Sequence, residues 1–119
     1  MNTFKVIVAG SRGFDDYQLL KSTLDHILRN KLPNVTIISG TASGADTLGE
    51  EYADKSDLEC VRMPANWILH GKRAGYVRNT QMAVECDAVI VFWDGQSQGT
   101  KHMIEITKNL GKDIRIIRY

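Results

Sequence analysis

The chain has 119 residues, of which 15 are lysine or arginine and 14 are aspartate or glutamate, a formal net charge of +1. That balance excludes a global field drawing in nucleic acid or an anionic membrane, so neither is expected as a partner and any phosphate must be held by local groups. The length fits one domain, residues 1–119, large enough to bury a core.

Phe4 to Ala9 predicts a buried strand, and Gly10-Ser11-Arg12-Gly13 a turn, with Asp15 or Asp16 as cap of the helix that follows. Leu20, Leu24, Ile27 and Leu28 stripe one face of a helix over residues 16–31, which Pro33-Asn34 breaks. Val35 to Ser39 is a second strand. Gly40-Thr-Ala-Ser-Gly44 is a second glycine turn, with Ser43 as candidate cap for a helix striped by Ala45, Leu48, Tyr52 and Ala53. Leu58 to Met63 is a third strand, wet on one side because Glu59 and Arg62 interrupt it. Pro64 to Lys72 is the longest connection and carries Trp67. A helix over residues 73–86 follows, poorly striped but bearing Arg73, Arg78 and Asn79.

Ala88 to Trp93 is six apolar residues without a break, the signature of a strand buried on both faces. A polar turn, Asp94-Gly95-Gln96-Ser97-Gln98, leads into a helix opened by Gly99-Thr100, striped by Met103, Ile106 and Leu110 and ended at Gly111. Ile114 to Tyr119 is a last strand with charges in it. The N-terminus runs straight into a strand without a signal peptide, and no 18-residue apolar span occurs, which fits a cytoplasmic protein. Cys60 and Cys86 lack CxxC spacing and read as reduced structural thiols; His26, His70 and His102 are scattered, so no metal site is expected.

Five strands alternating with four helices predict an α/β domain of three layers around a parallel sheet. Strands one, two and four are apolar throughout and belong in the centre; strands three and five carry charge and belong at the edges. Right-handed crossovers then give the order 3-2-1-4-5. That order reverses between strands one and four, and ligands in such sheets bind outside the strand carboxyl ends at the reversal. The same rim carries Arg12, Lys72, Arg73, Arg78 and Lys101 beside glycine turns whose backbone N–H groups suit an anion. A nucleotide or nucleoside phosphate is the expected ligand. Asp46 and Asp94 could hold a ribose hydroxyl, a base amine or a Mg²⁺ ion brought by the phosphate, and Trp67 could stack on a base. No other cofactor is expected.

Three familiar motifs are excluded. Gly95-Gln-Ser97-Gln-Gly99 fits the G-x-S-x-G elbow of hydrolases, but only His102 follows it, one helical turn on, with no separate acid loop. Gly10-Ser-Arg-Gly13 lacks the spacing of a dinucleotide fingerprint, and no P-loop motif exists.

Five segments together resemble a known family: Val8-Ala-Gly-Ser-Arg12 with Phe14 and Asp15; Ser39-Gly-x-x-x-Gly44-Ala45-Asp46; Ala65-x-Trp67; Gly75-x-x-Arg78-Asn79-x-x-Met82; and Phe92-Trp-Asp-Gly95-x-Ser97-x-Gly99-Thr100. They are similar to the YspA-like branch of the SLOG superfamily, which includes DprA and the Lonely Guy proteins. The resemblance covers nearly the whole chain. It implies a Rossmann-like domain binding nucleotides or nucleotide-derived ligands, and a homodimer paired through helices beside the site. The Lonely Guy relatives are phosphoribohydrolases using an arginine and a G-G-x-G-T-x-x-E motif. Matched by position, the arginine falls on Arg78, the phosphate-binding pair on Gly99 and Thr100, and the glutamate on Met103. The nearest acid, Glu105, lies about 200° further around the helix.

The phosphate cradle is thus retained and a catalytic group is missing. The leading expectation is a nucleotide-ligand-binding module, with Gly10, Ser11, Arg12, Ser39, Gly40, Gly44, Ala45, Trp67, Arg73, Asn79, Gly95, Ser97, Gly99 and Thr100 in its site. The second is an N-glycosidic hydrolase of nucleoside monophosphates, with Arg78 orienting the ligand and Asp46 or Asp94 as acid. DprA-like handling of single-stranded DNA comes third, because the chain lacks a long basic face.

Overall fold

The computed structural model describes residues 2–119. Its sheet contains β1 (Phe4–Gly10), β2 (Val35–Ser39), β3 (Glu59–Arg62), β4 (Ala88–Trp93) and β5 (Asp113–Arg118) in the order β3-β2-β1-β4-β5. Every pairing is parallel, with Val6 opposite Ala88 and Ile7 opposite Val89 between the two central strands. The edge strands are the charged ones. Both β3 and β5 leave most of their residues partly or fully exposed, whereas all five residues of β2 are buried.

The alternation along the central strands assigns the two helical layers. Val6, Val8, Ile90 and Phe92 point to one face, where they meet Leu20, Leu24 and Leu28 and the Ala45–Tyr52–Ala53 stripe. Those residues come from α1 (Tyr17–Ile27), the turn after it, and α2 (Ala45–Lys55). Ile7, Ala9, Val89 and Val91 point the other way, onto Met82, Ala83, Met103 and Ile104. These belong to α4 (Ala74–Glu85) and α5 (Gln98–Asn109). A strand covered on both sides is apolar at nearly every position, and β4 is so throughout. The expectation that β1 and β2 are apolar throughout is corrected at the exposed Lys5 and at Thr36 and Ser39, which are buried with hydrogen-bond partners.

Three local expectations are corrected and one choice, between Asp15 and Asp16, is resolved. The first helix ends at Ile27, and residues 28–34 form successive turns, though Leu28 keeps its place in the core at 1% exposure. Asp16 is its cap, accepting from the Leu19 amide at 3.0 Å. Ser43 caps nothing: Gly44 holds the N-cap position of α2, at φ 81°. The long connection after β3 is partly helical, with α3 (Trp67–His70) capped by Asn66 and followed by a 3₁₀ turn, Gly71–Arg73. The sequence hid α3 because Trp67, Ile68 and Leu69 are all exposed, so no buried stripe marks it.

Candidate functional site

The strand ends are drawn together by residues that cannot be large. A Cβ on Gly10 would collide with the Phe92 carbonyl and lie 2.9 Å from the Ala45 side chain. A Cβ on Gly44 would strike the carbonyls of Ser11 and Arg12, and its φ of 81° already favours glycine. This close approach lets the Ser11 amide donate to the Phe92 carbonyl at 3.0 Å while its Oγ accepts from the Asp94 amide at 3.1 Å. The Ala45 amide in turn donates to the Ser11 carbonyl at 3.4 Å. Ser11, 2% exposed, therefore pins β1, β4 and the start of α2 to one another.

A cavity of about 450 Å³ opens over this junction. Gly10 lines it from the end of β1, Ser11 and Arg12 from the first loop, Ala42 from the second, Asp46 from the first turn of α2, and Arg78, Asn79 and Met82 from α4. Asp94, Ser97, Gly99, Thr100 and Met103 complete the wall. Ser97 caps α5, its Oγ accepting from the Thr100 amide at 3.4 Å and the Thr100 hydroxyl at 3.1 Å. Among the described residues the amides of Gln98 and Gly99 have no acceptor, and they lie at the positive end of a twelve-residue helix. Donors of this kind suit an anion.

Arg78 and Asp46 face each other across Gly40. A Cβ there would sit 2.8 Å from Arg78 Nη1 and 2.9 Å from Asp46 Oδ2, so the absent side chain is what admits both. Arg78 donates from Nη1 to the Gly40 carbonyl and from Nε to Asn79 Oδ1 at 3.0 Å. Asn79, 6% exposed, passes the link on through Nδ2 to the Gly99 carbonyl and His102 Nδ1, both at 3.3 Å. Two N–H groups of Arg78 are thus committed to the scaffold, leaving the rest of its fork for a ligand. The ion pairs among the described residues are Lys21–Asp25, Lys55–Glu51 and Arg62–Glu50, so neither Arg12 nor Arg78 is held by a direct carboxylate contact.

The two aspartates differ sharply. Asp46 is 5% exposed, and burial pushes its carboxyl up to about 6, against the opposing pull of the Ala42 amide, Arg78 and Arg12. Asp94 accepts from the Gln96 and Ser97 amides at 2.8 and 2.9 Å, and these bonds hold its carboxyl below the usual range. An acid so stabilised as the anion cannot donate a proton near neutrality, so Asp94 is removed as a candidate acid.

Other expected residues are displaced from the cavity. Ser39 is buried behind it, its Oγ donating to Glu50 Oε2 at 2.6 Å and accepting from the Thr41 amide at 3.0 Å. Gly44 and Ala45 shape the frame without lining the cavity, and Gly95 packs against Arg118. Arg73, Lys72 and Lys101 are exposed and line neither chamber, so the rim's cationic character reduces to Arg12 and Arg78. Gly75 does not serve close backbone approach, since a Cβ there would meet only the Trp67 ring, at 3.9 Å. Ser97, as a helix cap bonded to Thr100, is no nucleophile. Gly40 and Trp67 line a second chamber of about 310 Å³ that shares Arg12, Ala42 and Arg78 with the first. Sequence reasoning missed Ala42 and Met82 as wall residues; their only signal was position, between two glycines and one turn beyond Arg78.

Residues 4–70 match the profile of the YspA, cpYpsA-related SLOG family. The chain is 28% identical over 113 residues to the Gene 61 protein of Mycobacterium phage D29, covering 90% of each. Among solved structures it is similar to DNA processing protein A (DprA) from Streptococcus pneumoniae, with a TM-score of 0.78 and 19% identity over 98% of this chain. It is also similar to DNA processing protein A from Helicobacter pylori, a single-stranded DNA binder, with a TM-score of 0.69 and 18% identity over 97% of the chain. The chain spans 51% and 65% of those two proteins. At such identities the likeness is one of fold.

Proposed function

The chain belongs to the YspA, cpYpsA-related SLOG family, and from that premise we propose that it binds a nucleotide or nucleotide-derived phosphate in the cavity between β1 and β4. One observation carries the reading: Arg12 and Arg78, without carboxylate contacts, converge with Gly99 of α5, whose amide has no acceptor among the described residues, on a cavity at the point where the strand order reverses. Phosphate is the anion that such a set of planar cations and backbone donors fits best. Any Mg²⁺ ion would be held together with the phosphate, since among the described residues no three His, Cys, Asp or Glu converge on a site of their own. Nucleic acid, set aside on net charge, returns as a ligand class. Net charge is a property of the whole surface, whereas this site is local, and one fold neighbour binds single-stranded DNA. Native mass spectrometry of the purified protein tests the proposal: a co-purifying phosphate-bearing species, or one acquired from a nucleotide mixture, is expected. Failure of AMP, a diphosphate nucleotide, a short oligonucleotide and inorganic phosphate alike to bind would refute it.

A second reading, N-glycosidic hydrolysis, is favoured by Asp46 alone, a buried carboxyl with a raised pKa on the cavity wall. Met103 occupies the position that the resemblance gives to a glutamate and is 2% exposed against the same cavity. We therefore expect little release of free base from AMP in a chromatographic assay. Turnover above about 1 per second, the low end of ordinary enzymes, would overturn the binding-module reading. The homodimer, paired through helices beside the site, remains part of the proposal, and the exposed Tyr76 of α4 supports it. Sedimentation equilibrium showing a monomer at all concentrations would remove it.

A further inference from the structure

The second chamber has a different chemistry from the first. Pro64, Ala65 and Trp67 give it an apolar side, Thr41 and Ala42 a backbone wall, and it meets the main cavity across Arg78. Trp67 is 56% exposed and, among the described residues, has no aromatic or cationic partner and no acceptor for its indole N–H. By contrast, the indole of Trp93 donates to the Ser97 carbonyl at 3.2 Å. Asn66 fixes the start of the short helix that carries Trp67, and the ring edge rests over Gly75 of α4. Thr41 holds a left-handed φ of 67°, a conformation threonine rarely adopts, with its amide bonded to Ser39. A large exposed aromatic, held in place at the lip of a chamber next to an anion site, is the arrangement that stacks on a flat ring.

We propose that the Trp67 chamber is a nucleobase subsite, serving the same nucleotide unit whose phosphate lies in the main cavity, with Arg78 at the boundary between them. This rests on the nucleotide reading above and adds to it that the ligand must carry an aromatic base as well as a phosphate. A free nucleotide and a nucleotide within a single strand present the same chemistry.

The test compares AMP, ribose 5-phosphate and a 5′-phosphorylated oligothymidylate by calorimetry on the whole chain, with tryptophan fluorescence alongside. Stacking on an aromatic side chain corresponds to roughly a ten- to hundred-fold gain in affinity. AMP should therefore bind about that much more tightly than ribose 5-phosphate and should quench Trp67. Trp67→Ala should bring AMP down to the level of ribose 5-phosphate and leave the latter unchanged; Trp67→Phe should keep the difference and silence the quenching. Tighter, steeply salt-dependent binding of the oligonucleotide would identify a strand as the source, and preference for AMP a free nucleotide. Equal affinities of AMP and ribose 5-phosphate for the wild type would overturn the subsite while the phosphate site stood, a comparison that holds even if a variant failed to fold. Binding of none of the three, with a diphosphate nucleotide and inorganic phosphate failing as well, would overturn both.

Discussion

Replacing Asp46 by asparagine should make the protein more stable at neutral pH. Burial pushes the Asp46 carboxyl up to about 6 in the fold, from an ordinary value of 3.8. A raised folded pKa means that the unfolded chain gives up this proton first. The group's stabilising contribution is thus complete below 3.8 and is lost as pH rises through about 6. The rise from 3.8 to about 6 corresponds to a loss of about 3 kcal/mol by pH 7.5. Asparagine keeps an oxygen to accept the Ala42 amide, now at 3.2 Å from the carboxylate, but cannot ionise. Asp46→Asn should therefore melt several degrees above the wild type at pH 7.5, and the two should converge near pH 4. Urea unfolding at both pH values measures this, and the difference between the proteins cancels every other titrating group. A variant less stable than wild type at pH 7.5 would refute the reasoning, since attraction from Arg78 and Arg12 would then outweigh desolvation and Asp46 would be a structural counter-ion.

Arg78→Ala should weaken phosphate binding roughly ten- to a hundred-fold by calorimetry, the loss of one charge-assisted contact. It should also cost about 1–2 kcal/mol of stability, because the Gly40 carbonyl and Asn79 lose their donor; an unchanged urea midpoint would contradict this network. Gly44→Ala should destabilise severely, since the added methyl meets two carbonyls at a positive φ, and a soluble variant with wild-type melting would refute the close approach. A phosphodiester ligand, which does not titrate in this range, should bind several-fold more tightly at pH 5.5 than at pH 7.5 as Asp46 becomes neutral. The opposite trend would mean that the ionised carboxylate contacts the ligand directly.

Much of the fold was legible because a doubly covered parallel sheet forces a coarse pattern. Strand β4 reads Ala-Val-Ile-Val-Phe-Trp and alternates perfectly between the two cores; burial on both faces leaves no polar position for the eye to miss. Charge in β3 and β5 identified the edges by the same logic, and the strand order followed. What was illegible depends on contacts rather than on periodicity. Helix α3 has no buried side, so its three apolar residues looked like loop. Helix α1 stops at Ile27 although its apolar stripe continues to Leu28, because that leucine reaches the core equally well from a turn.

The site divides along the same line. Glycines at strand ends announce close approach, and Gly10, Gly40 and Gly44 each have a neighbour where a side chain would go. Which polar groups reach the ligand is decided by direction, and a sequence gives direction only where an element's orientation is already known. Arg78 and Asn79 sit on α4 next to Ala74 and Met82, both buried, so their side of the helix turns toward the cavity. Arg73 lies on the 3₁₀ turn before α4, where the backbone's different pitch carries it outward. Asp46 and Asp94 looked equivalent as rim acids. Their separation comes from partners: Asp94 closes a turn with two amides and stays ionised, while Asp46 is enclosed between helix and loop with one amide and two guanidiniums that make no direct ion pair with it. Only the enclosed carboxyl retains a proton within reach of neutral pH. Of the two rim carboxyls Asp46 is therefore the one whose ionisation lies close to neutral pH, and the same ionisation that destabilises the fold also sets the charge that an incoming phosphate meets.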